Sequence, residues 1–251
     1  MSKKVKKQRQ FGLIAKESSH SFSKKYFTEK FTQNFFENCD YENYDLLTID
    51  KFPELLATTK GLVGLNVTIP YKEAIIPFLD KIDKKAQKIG AVNCVTISKN
   101  KKTKGYNTDY YGFKKALKPL LKKHHKRALI LGTGGASKAV AFALRKLAIE
   151  YDFVSRNPNE FQFGYNELDA TVFTDYQIII NTTPLGTFPN MKECPLLPYE
   201  LFTDQHIAFD LVYNPEQTYF LKQAKAQGAK IKNGYDMLVF QAEKAWKIWN
   251  K

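Results

Sequence analysis

Residues 127–137 constrain this chain more than any other stretch: Arg127-Ala-Leu-Ile-Leu-Gly132 runs directly into Thr-Gly-Gly-Ala-Ser137. An unbroken apolar run of that length suits a strand buried on both faces of a parallel sheet. Behind the glycines, Ala139, Val140, Ala143, Leu144 and Leu147 recur at helical spacing. Strand, glycine-rich turn and helix in that order make a phosphate-binding element. The glycines let the backbone approach a pyrophosphate, and the helix N-terminus offers free N–H groups and the positive end of its dipole. Gly132, Gly134, Gly135, Ala136 and Ser137 are therefore expected to hold a dinucleotide.

The end of the next strand chooses between dinucleotides. It reads Val154-Ser155-Arg156-Asn157. An NAD site usually carries an acid here for the ribose 2′-hydroxyl, whereas arginine clamps a 2′-phosphate. Arg156 points to NADP.

Further short apolar runs at 177–181 and 207–212 alternate with helical segments, as in right-handed βαβ units of a doubly wound sheet. A helix over 217–227 ends at Gly228, and 236–249 forms a long amphipathic one. The first hundred residues mix strands at 11–15, 44–49, 64–69, 91–98 and 104–106 with an aromatic-faced helix over 23–37. Pro70 stops the third strand, because proline cannot donate to a ladder. Composition changes near residue 109, where a basic helix is expected to run to His125.

At 251 residues the chain accommodates two modest domains, on a prior of about 150 residues each. An apolar fraction of 43% excludes disordered and fibrous classes. No apolar run approaches the roughly 18 residues that cross a bilayer, and 11–15 is too short for a signal-peptide core. No membrane partner is expected. Cys39, Cys94 and Cys194 form no CxxC pair, so neither a disulfide framework nor a metal site is expected, and the chain suits a reducing, cytoplasmic compartment.

The net charge of +14 is local. Residues 1–10, 99–104 and 114–127 hold five, four and seven cations and no carboxylate. Such runs could meet nucleic acid or steer anionic substrates. The plainer reading is a frayed terminus, a hairpin tip and a solvated helix face, and a nucleic-acid partner is not expected. The histidines suggest no site: His124 and His125 sit in a basic surface run, His206 is isolated, and His20 is structural in a serine loop.

Four polar clusters precede the nucleotide element: His20-Ser-Phe-Ser23, Asn66-Val-Thr-Ile-Pro-Tyr-Lys72, Gly90-Ala-Val-Asn93 and Asn107-Thr-Asp109. In that order, and followed by Asn181-Thr-Thr-Pro-Leu-Gly186, Asp210-Leu-Val-Tyr-Asn-Pro215 and Asn233-Gly-Tyr-Asp-Met-Leu238, they resemble the shikimate dehydrogenase family over nearly the whole chain. The resemblance implies a two-domain α/β enzyme that reduces 3-dehydroshikimate to shikimate with NADPH. An N-terminal α/β substrate domain, residues 1–108 completed by 232–251, would precede a Rossmann-like doubly wound NADP domain at 109–231. The C-terminal helix would pack back on the first domain.

The resemblance also implies roles. Ser21 and Ser23 are similar to ligands of the substrate carboxylate, and Thr68, Asn93 and Gln241 to partners of the ring hydroxyls, with Tyr213 close by. Lys72 and Asp109 resemble the catalytic pair. Asn181, Thr182, Thr183, Gly234 and Leu238 fall where the family lines the nicotinamide side. The chemistry fits those residue types: a ketone that accepts hydride gains oxyanion character and needs a cation or proton donor within hydrogen-bond reach.

The chain departs from the family in places. Ala15-Lys-Glu-Ser-Ser19 replaces the usual glycine and proline before the serine loop, and Lys24 follows where a proline is common. Ser155-Arg-Asn157 replaces Asn-Arg-Thr, and Thr187 stands where methionine is frequent. Residues 156 to 181 leave room only for an abbreviated helix and strand. Two other readings compete: a relative that oxidises quinate or uses NAD, and a non-catalytic nucleic-acid-binding relative. On the leading reading the partner is a small-molecule substrate, shikimate or 3-dehydroshikimate, and a monomer or homodimer is expected.

Overall fold

The computed structural model describes residues 7–18 and 21–251. Lys3, Lys4 and Lys6 of the first basic run, and His20, lie outside the described residues. The chain forms two compact units, residues 1–108 with 242–251 and residues 109–241.

The first unit is built on a six-stranded mixed sheet. Its strands are β1 (Arg9–Ala15), β2 (Cys39–Asp45), β3 (Leu62–Val67), β4 (Lys81–Ile82), β5 (Cys94–Ile97) and β6 (Thr103–Tyr106), in spatial order β2-β1-β3-β5-β6-β4. β1 runs parallel to both β2 and β3, whereas β5 is antiparallel to β3 and β6. Helices α1 (Phe22–Gln33), α2 (Phe52–Thr58), α3 (Tyr71–Ala74) and α4 (Lys84–Ile89) connect them. The second strand lies earlier than the apolar pattern predicts. Cys39 and Tyr41 alternate inward from β2, while the apolar stretch after Asp45 leads to a 3₁₀ turn at Ile49–Lys51.

The second unit holds an all-parallel sheet: β7 (Arg127–Leu131), β8 (Glu150–Ser155), β9 (Gln162–Gly164), β10 (Ile178–Asn181), β11 (Ile207–Asp210) and β12 (Lys230–Lys232), in order β12-β11-β10-β7-β8-β9. The chain leaves β7 toward β8 and β9, then returns to β10 on the other side, so its winding reverses between β7 and β10. Ligands of open parallel sheets bind at such a reversal, beyond the carboxyl ends of the strands. The helices are α5 (Asp109–Leu117), α6 (Gly135–Arg145), α7 (Ala170–Asp175), α8 (Tyr219–Ala226) and α9 (Tyr235–Trp249). α7 and β9 are short, as the abbreviated 156–181 segment requires.

Three expectations are corrected here. The basic helix stops at Leu117, because Pro119 cannot donate within it and the chain turns through a 3₁₀ segment at Lys118–Leu120. The last switch between units falls at residue 242, not 232. β12 pairs with β11, and Met237 packs with Phe113, Ile180 and Phe209 in the second core. From Ala242 onward α9 belongs to the first unit, where Ala242, Ala245 and Trp249 pack with Phe11, Phe27 and Phe31. Trp249 Nε1 donates to the Val95 carbonyl at 3.0 Å, fixing the helix end on β5.

The third correction concerns histidines. His125 is buried, and its Nε2 lies 3.0 Å from the Gln205 carbonyl, next to buried His206 in sequence. Neither is a surface or isolated residue. Among the described residues no helix is long and apolar enough to cross a membrane, and no cluster of metal-ligating side chains is found.

Candidate functional site

In the first unit the polar clusters meet at the carboxyl ends of β1 and β3. Thr68 N–H donates to the Ile14 carbonyl, and Val67 N–H to the Asn93 carbonyl, each at 3.0 Å. Asn93 N–H reaches the Tyr106 carbonyl at 3.0 Å, so β1, β3, the 90–93 turn and β6 share one edge. Lys72 is half-buried on α3, and its carbonyl accepts from Val92 N–H at 2.7 Å, which seats that helix against the same turn.

A buried chain of side-chain hydrogen bonds runs through this edge. The Tyr41 hydroxyl, with Ser23 beside it, donates to Asn66 Oδ1 at 2.8 Å. Asn66 Nδ2 donates to the Asn93 carbonyl at 3.3 Å. The Asn93 carboxamide in turn clasps Thr108, accepting its N–H at 2.6 Å and donating to its hydroxyl at 3.0 Å. Burial pushes the Tyr41 phenol well up, so it stays neutral and able to donate. Asn93 therefore fixes the turn that ends at Thr108, immediately before Asp109.

Ser18 and Ser21 are each held by hydrogen bonds, although the sequence around them departs from the family. Ser18 is buried and donates to Asp45 at 2.5 Å, and its carbonyl accepts from Asn43 Nδ2 at 3.1 Å and Ser21 N–H at 3.1 Å. Ser21 is the N-cap of α1, its hydroxyl accepting from Lys24 N–H at 3.2 Å. That contact uses the oxygen as acceptor and leaves its proton to be donated elsewhere.

In the second unit the expected cofactor residues gather beyond β7, β10 and β11. Gly132 has φ +98°, a left-handed conformation open to glycine, and a Cβ there would press on Thr183 and Thr182. Gly134 caps α6, and a Cβ on it would meet nothing within 4 Å, so the space over the turn is open. An open turn leading into a helix N-terminus fits a dinucleotide pyrophosphate, with Gly135 and Ala136 supplying N–H groups of the first turn. Ser137 is buried, and its hydroxyl donates to the Gly134 carbonyl at 2.6 Å, shaping the turn from beneath.

Thr182 and Thr183 likewise turn their hydroxyls inward. Thr182 donates to the Leu131 carbonyl at 2.6 Å and Thr183 to Asn181 Oδ1 at 2.6 Å. The first ties the end of β10 to the end of β7, and the second closes the 181–183 turn on itself. Gly234 N–H bonds to the Val212 carbonyl at 3.1 Å, a Cβ on Gly234 would collide with the Leu211 carbonyl, and Leu238 follows one turn along α9. Arg156 is exposed just past β8, where its charge acts on Tyr165. Tyr213 is half-buried, its phenol pushed up by burial, while Gln241 and Asp109 are buried, Asp109 opening α5.

Comparison with known proteins decides the family. Residues 13–95 match the model of the shikimate dehydrogenase substrate binding domain. The shikimate dehydrogenase (NADP(+)) of Caldicellulosiruptor saccharolyticus is 35% identical, covering 94% of this chain and 90% of that protein. The enzyme of the same name from Methanococcus vannielii is 37% identical, covering 95% and 90%. The chain belongs to the shikimate dehydrogenase family. A crystal structure of the Thermus thermophilus shikimate 5-dehydrogenase, in complex with NADP(H) and shikimate, superposes with a TM-score of 0.84 at 32% identity, covering 96% of this chain and 93% of that one.

The motifs contain Asn66 and Asp210 without giving either a role, and they do not contain Tyr41 or Thr218; Tyr41 bonds to Asn66 in the first unit and Thr218 to Asp210 in the second. Asn66 and Asp210 did carry a signal: each is a polar residue at the end of an otherwise apolar strand, and both are buried. Tyr41 carried none, since an aromatic on a strand is most simply core.

Proposed function

We propose that the protein catalyses the reversible NADPH-dependent reduction of 3-dehydroshikimate to shikimate. The observation that carries this reading is the bonded chain from Tyr41 through Asn66 and Asn93 to Thr108, which gathers motif residues of the first unit at one sheet edge directly before Asp109.

In this reading Ser21 and Ser23 donate hydroxyl protons to the substrate carboxylate. Thr68, Asn93 and Gln241 hold the ring hydroxyls, with Tyr213 alongside. When bound, the cofactor supplies the hydride. Gly132, Gly134, Gly135, Ala136 and Ser137 form the turn that takes its pyrophosphate, and Arg156 takes the 2′-phosphate. Asn181, Thr182, Thr183, Gly234 and Leu238 shape the nicotinamide side. Lys72 places an ammonium at the carbonyl oxygen where charge develops, stabilising it and delivering the proton, a contribution of about 10²–10⁴ in rate. Asp109 orients that ammonium and accepts a substrate hydroxyl. Three widely spaced cysteines, Cys39, Cys94 and Cys194, with no CxxC pair accord with a cytoplasmic enzyme, acting as a monomer or homodimer.

The test is reduced-nicotinamide absorbance on mixing the protein with shikimate and NADP, with quinate and NAD in parallel. A rate confined to shikimate with NADP supports the reading and the role of Arg156 together. Rates with quinate or NAD keep the mechanism and widen the specificity. No rate from folded protein overturns the reading.

A further inference from the structure

One buried carboxylate at the end of the second unit's sheet has no part in the reaction just described. Asp210 closes β11 and is fully buried. Its Oδ1 accepts from Asn181 Nδ2 at 3.0 Å and from Val212 N–H at 3.0 Å, and its Oδ2 accepts from the Thr218 hydroxyl at 2.6 Å. The three donors come from three segments: the end of β10, the loop after β11, and the N-cap of α8.

Through these donors Asp210 reaches the residues proposed to line the nicotinamide. Asn181 Oδ1 accepts from Thr183 N–H at 3.0 Å and from the Thr183 hydroxyl, whose oxygen accepts from Leu185 N–H at 3.3 Å. Val212 leads into Tyr213, and its carbonyl accepts from Gly234 N–H. Two of the partners, an amide NH₂ and a backbone N–H, can only donate to Asp210, which suits an ionised carboxylate. A protonated Asp210 carries an O–H for which the Thr218 hydroxyl must turn round to accept, and its grip on the other two donors weakens.

We propose that Asp210 is a positioning residue for the cofactor's nicotinamide end, its ionised form holding the 181–185 turn and the 211–215 loop in the geometry that binds the dinucleotide. This rests on the reading of the chain as an NADP-dependent dehydrogenase.

The carboxyl titrates where that matters. Burial pushes its pKa up to about 7, against the opposing pull of Thr218, Val212 and Asn181. The other titratable groups around it do not compete. Tyr199, in the 3₁₀ turn Tyr199–Leu201, is raised by burial, by its bond with Cys194 and by the field of Asp210, and remains neutral. Tyr213, on the loop, is raised by burial. Lys222 and Lys225 of α8 and Lys230 of β12 are exposed, and Lys232 pairs with Asp236.

The experiment measures NADP⁺ binding by titration calorimetry between pH 5.5 and 8.5, for the wild type and Asp210→Asn. In parallel, hydrogen exchange of the Thr183 and Leu185 amides is followed in the cofactor-free wild type and corrected for intrinsic rates. The expected result is that wild-type affinity rises by about tenfold through neutral pH, the scale of one hydrogen bond to a charged group. Asp210→Asn stays near the weaker limit with a flatter profile, and amide protection in the wild type rises over the same range. The 2′-phosphate titrates equally with both proteins, so the difference between profiles is the readout. Equal profiles in the two proteins overturn the proposal. If Asp210→Asn does not fold, unchanged amide protection in the wild type overturns it instead. A wild type that binds no NADP⁺ at any pH overturns the functional reading and this inference with it, an outcome distinct from both.

Discussion

The Tyr41 hydroxyl donates to Asn66 Oδ1 at 2.8 Å inside the first unit, with Ser23 on one side and Asn93 on the other. A residue of the sheet thereby sets the orientation of the residues proposed to touch substrate. Tyr41→Phe keeps the ring, which stacks on Phe27 at a centroid distance of 4.9 Å, and removes only the oxygen. The buried Asn66 acceptor then loses its donor, a cost of about 1–3 kcal/mol. Urea unfolding should show that loss. Steady-state kinetics should show a shikimate KM raised several-fold with turnover less affected, because Ser23 lies beside the hydroxyl that is removed whereas Lys72 is held through the 90–93 turn. An unchanged KM would remove Ser23 from the substrate site.

Lys72 sits on a helix held to the 90–93 turn through its backbone, so its side chain can be truncated without releasing that helix. Lys72→Ala should lower turnover by about 10²-fold or more, the scale of a general acid, with little change in the shikimate KM. Near-wild-type turnover would defeat the assignment.

Arg156 is exposed beyond β8, on a turn where Asn157 N–H bonds to the Ser155 hydroxyl at 3.2 Å. Changing it leaves the fold intact, so cofactor choice can be read without a stability correction. Arg156→Asp removes the cation and places a carboxylate where a 2′-phosphate would bind. The ratio of kcat/KM for NADP over NAD should fall by at least about tenfold, since losing a charge-assisted hydrogen bond costs more than the 1.4 kcal/mol that factor represents. A ratio that does not move would place the 2′-phosphate elsewhere.

The second unit was the more legible in sequence because its rules are local. A buried parallel strand must be apolar throughout, and a glycine turn must follow it, so β7, the 132–137 turn and α6 announce themselves within twenty residues. The first unit was harder. The order β2-β1-β3-β5-β6-β4 depends on contacts between distant segments, and β2 escaped the apolar pattern because only Cys39 and Tyr41 face inward. The motifs named the residues proposed for the site, but their hydrogen-bond commitments were not legible. Ser137, Thr182 and Thr183 carry hydroxyls that suggest ligand contacts, yet each bonds to backbone or to Asn181. Whether a hydroxyl faces a ligand or a carbonyl depends on a rotamer that spacing does not encode. The α9 boundary at residue 242 was hidden for a related reason: one continuous amphipathic pattern serves two cores in turn.

His206 gives the second unit a pH dependence with a definite sign. The ring is buried, its Nδ1 accepts from Thr203 N–H at 3.0 Å, and its Nε2–H donates to the Phe173 carbonyl at 2.9 Å. This arrangement favours the neutral imidazole, because protonation would set an N–H against the Thr203 N–H donor and leave only the Thr203 hydroxyl oxygen, 2.9 Å away, to accept it. Burial, the largest influence, accordingly lowers the His206 pKa, and His125 nearby is lowered for the same first reason. A histidine whose folded pKa lies below its unfolded value binds fewer protons when folded. Its contribution to stability is therefore complete above the unfolded value of about 6.5 and is lost as pH falls through the folded one. Asp210, raised by burial, has the opposite slope between its ordinary 3.8 and about 7, so the total profile does not isolate the histidine. The difference between wild type and His206→Gln does. Glutamine cannot be protonated, so the stability advantage of the wild type over the variant in urea unfolding should be greatest at pH 7–8 and shrink steadily between pH 6.5 and 5. An advantage constant over that range would mean that folding does not shift the imidazole's pKa, and one that grows as pH falls would mean that the folded protein holds the imidazole protonated.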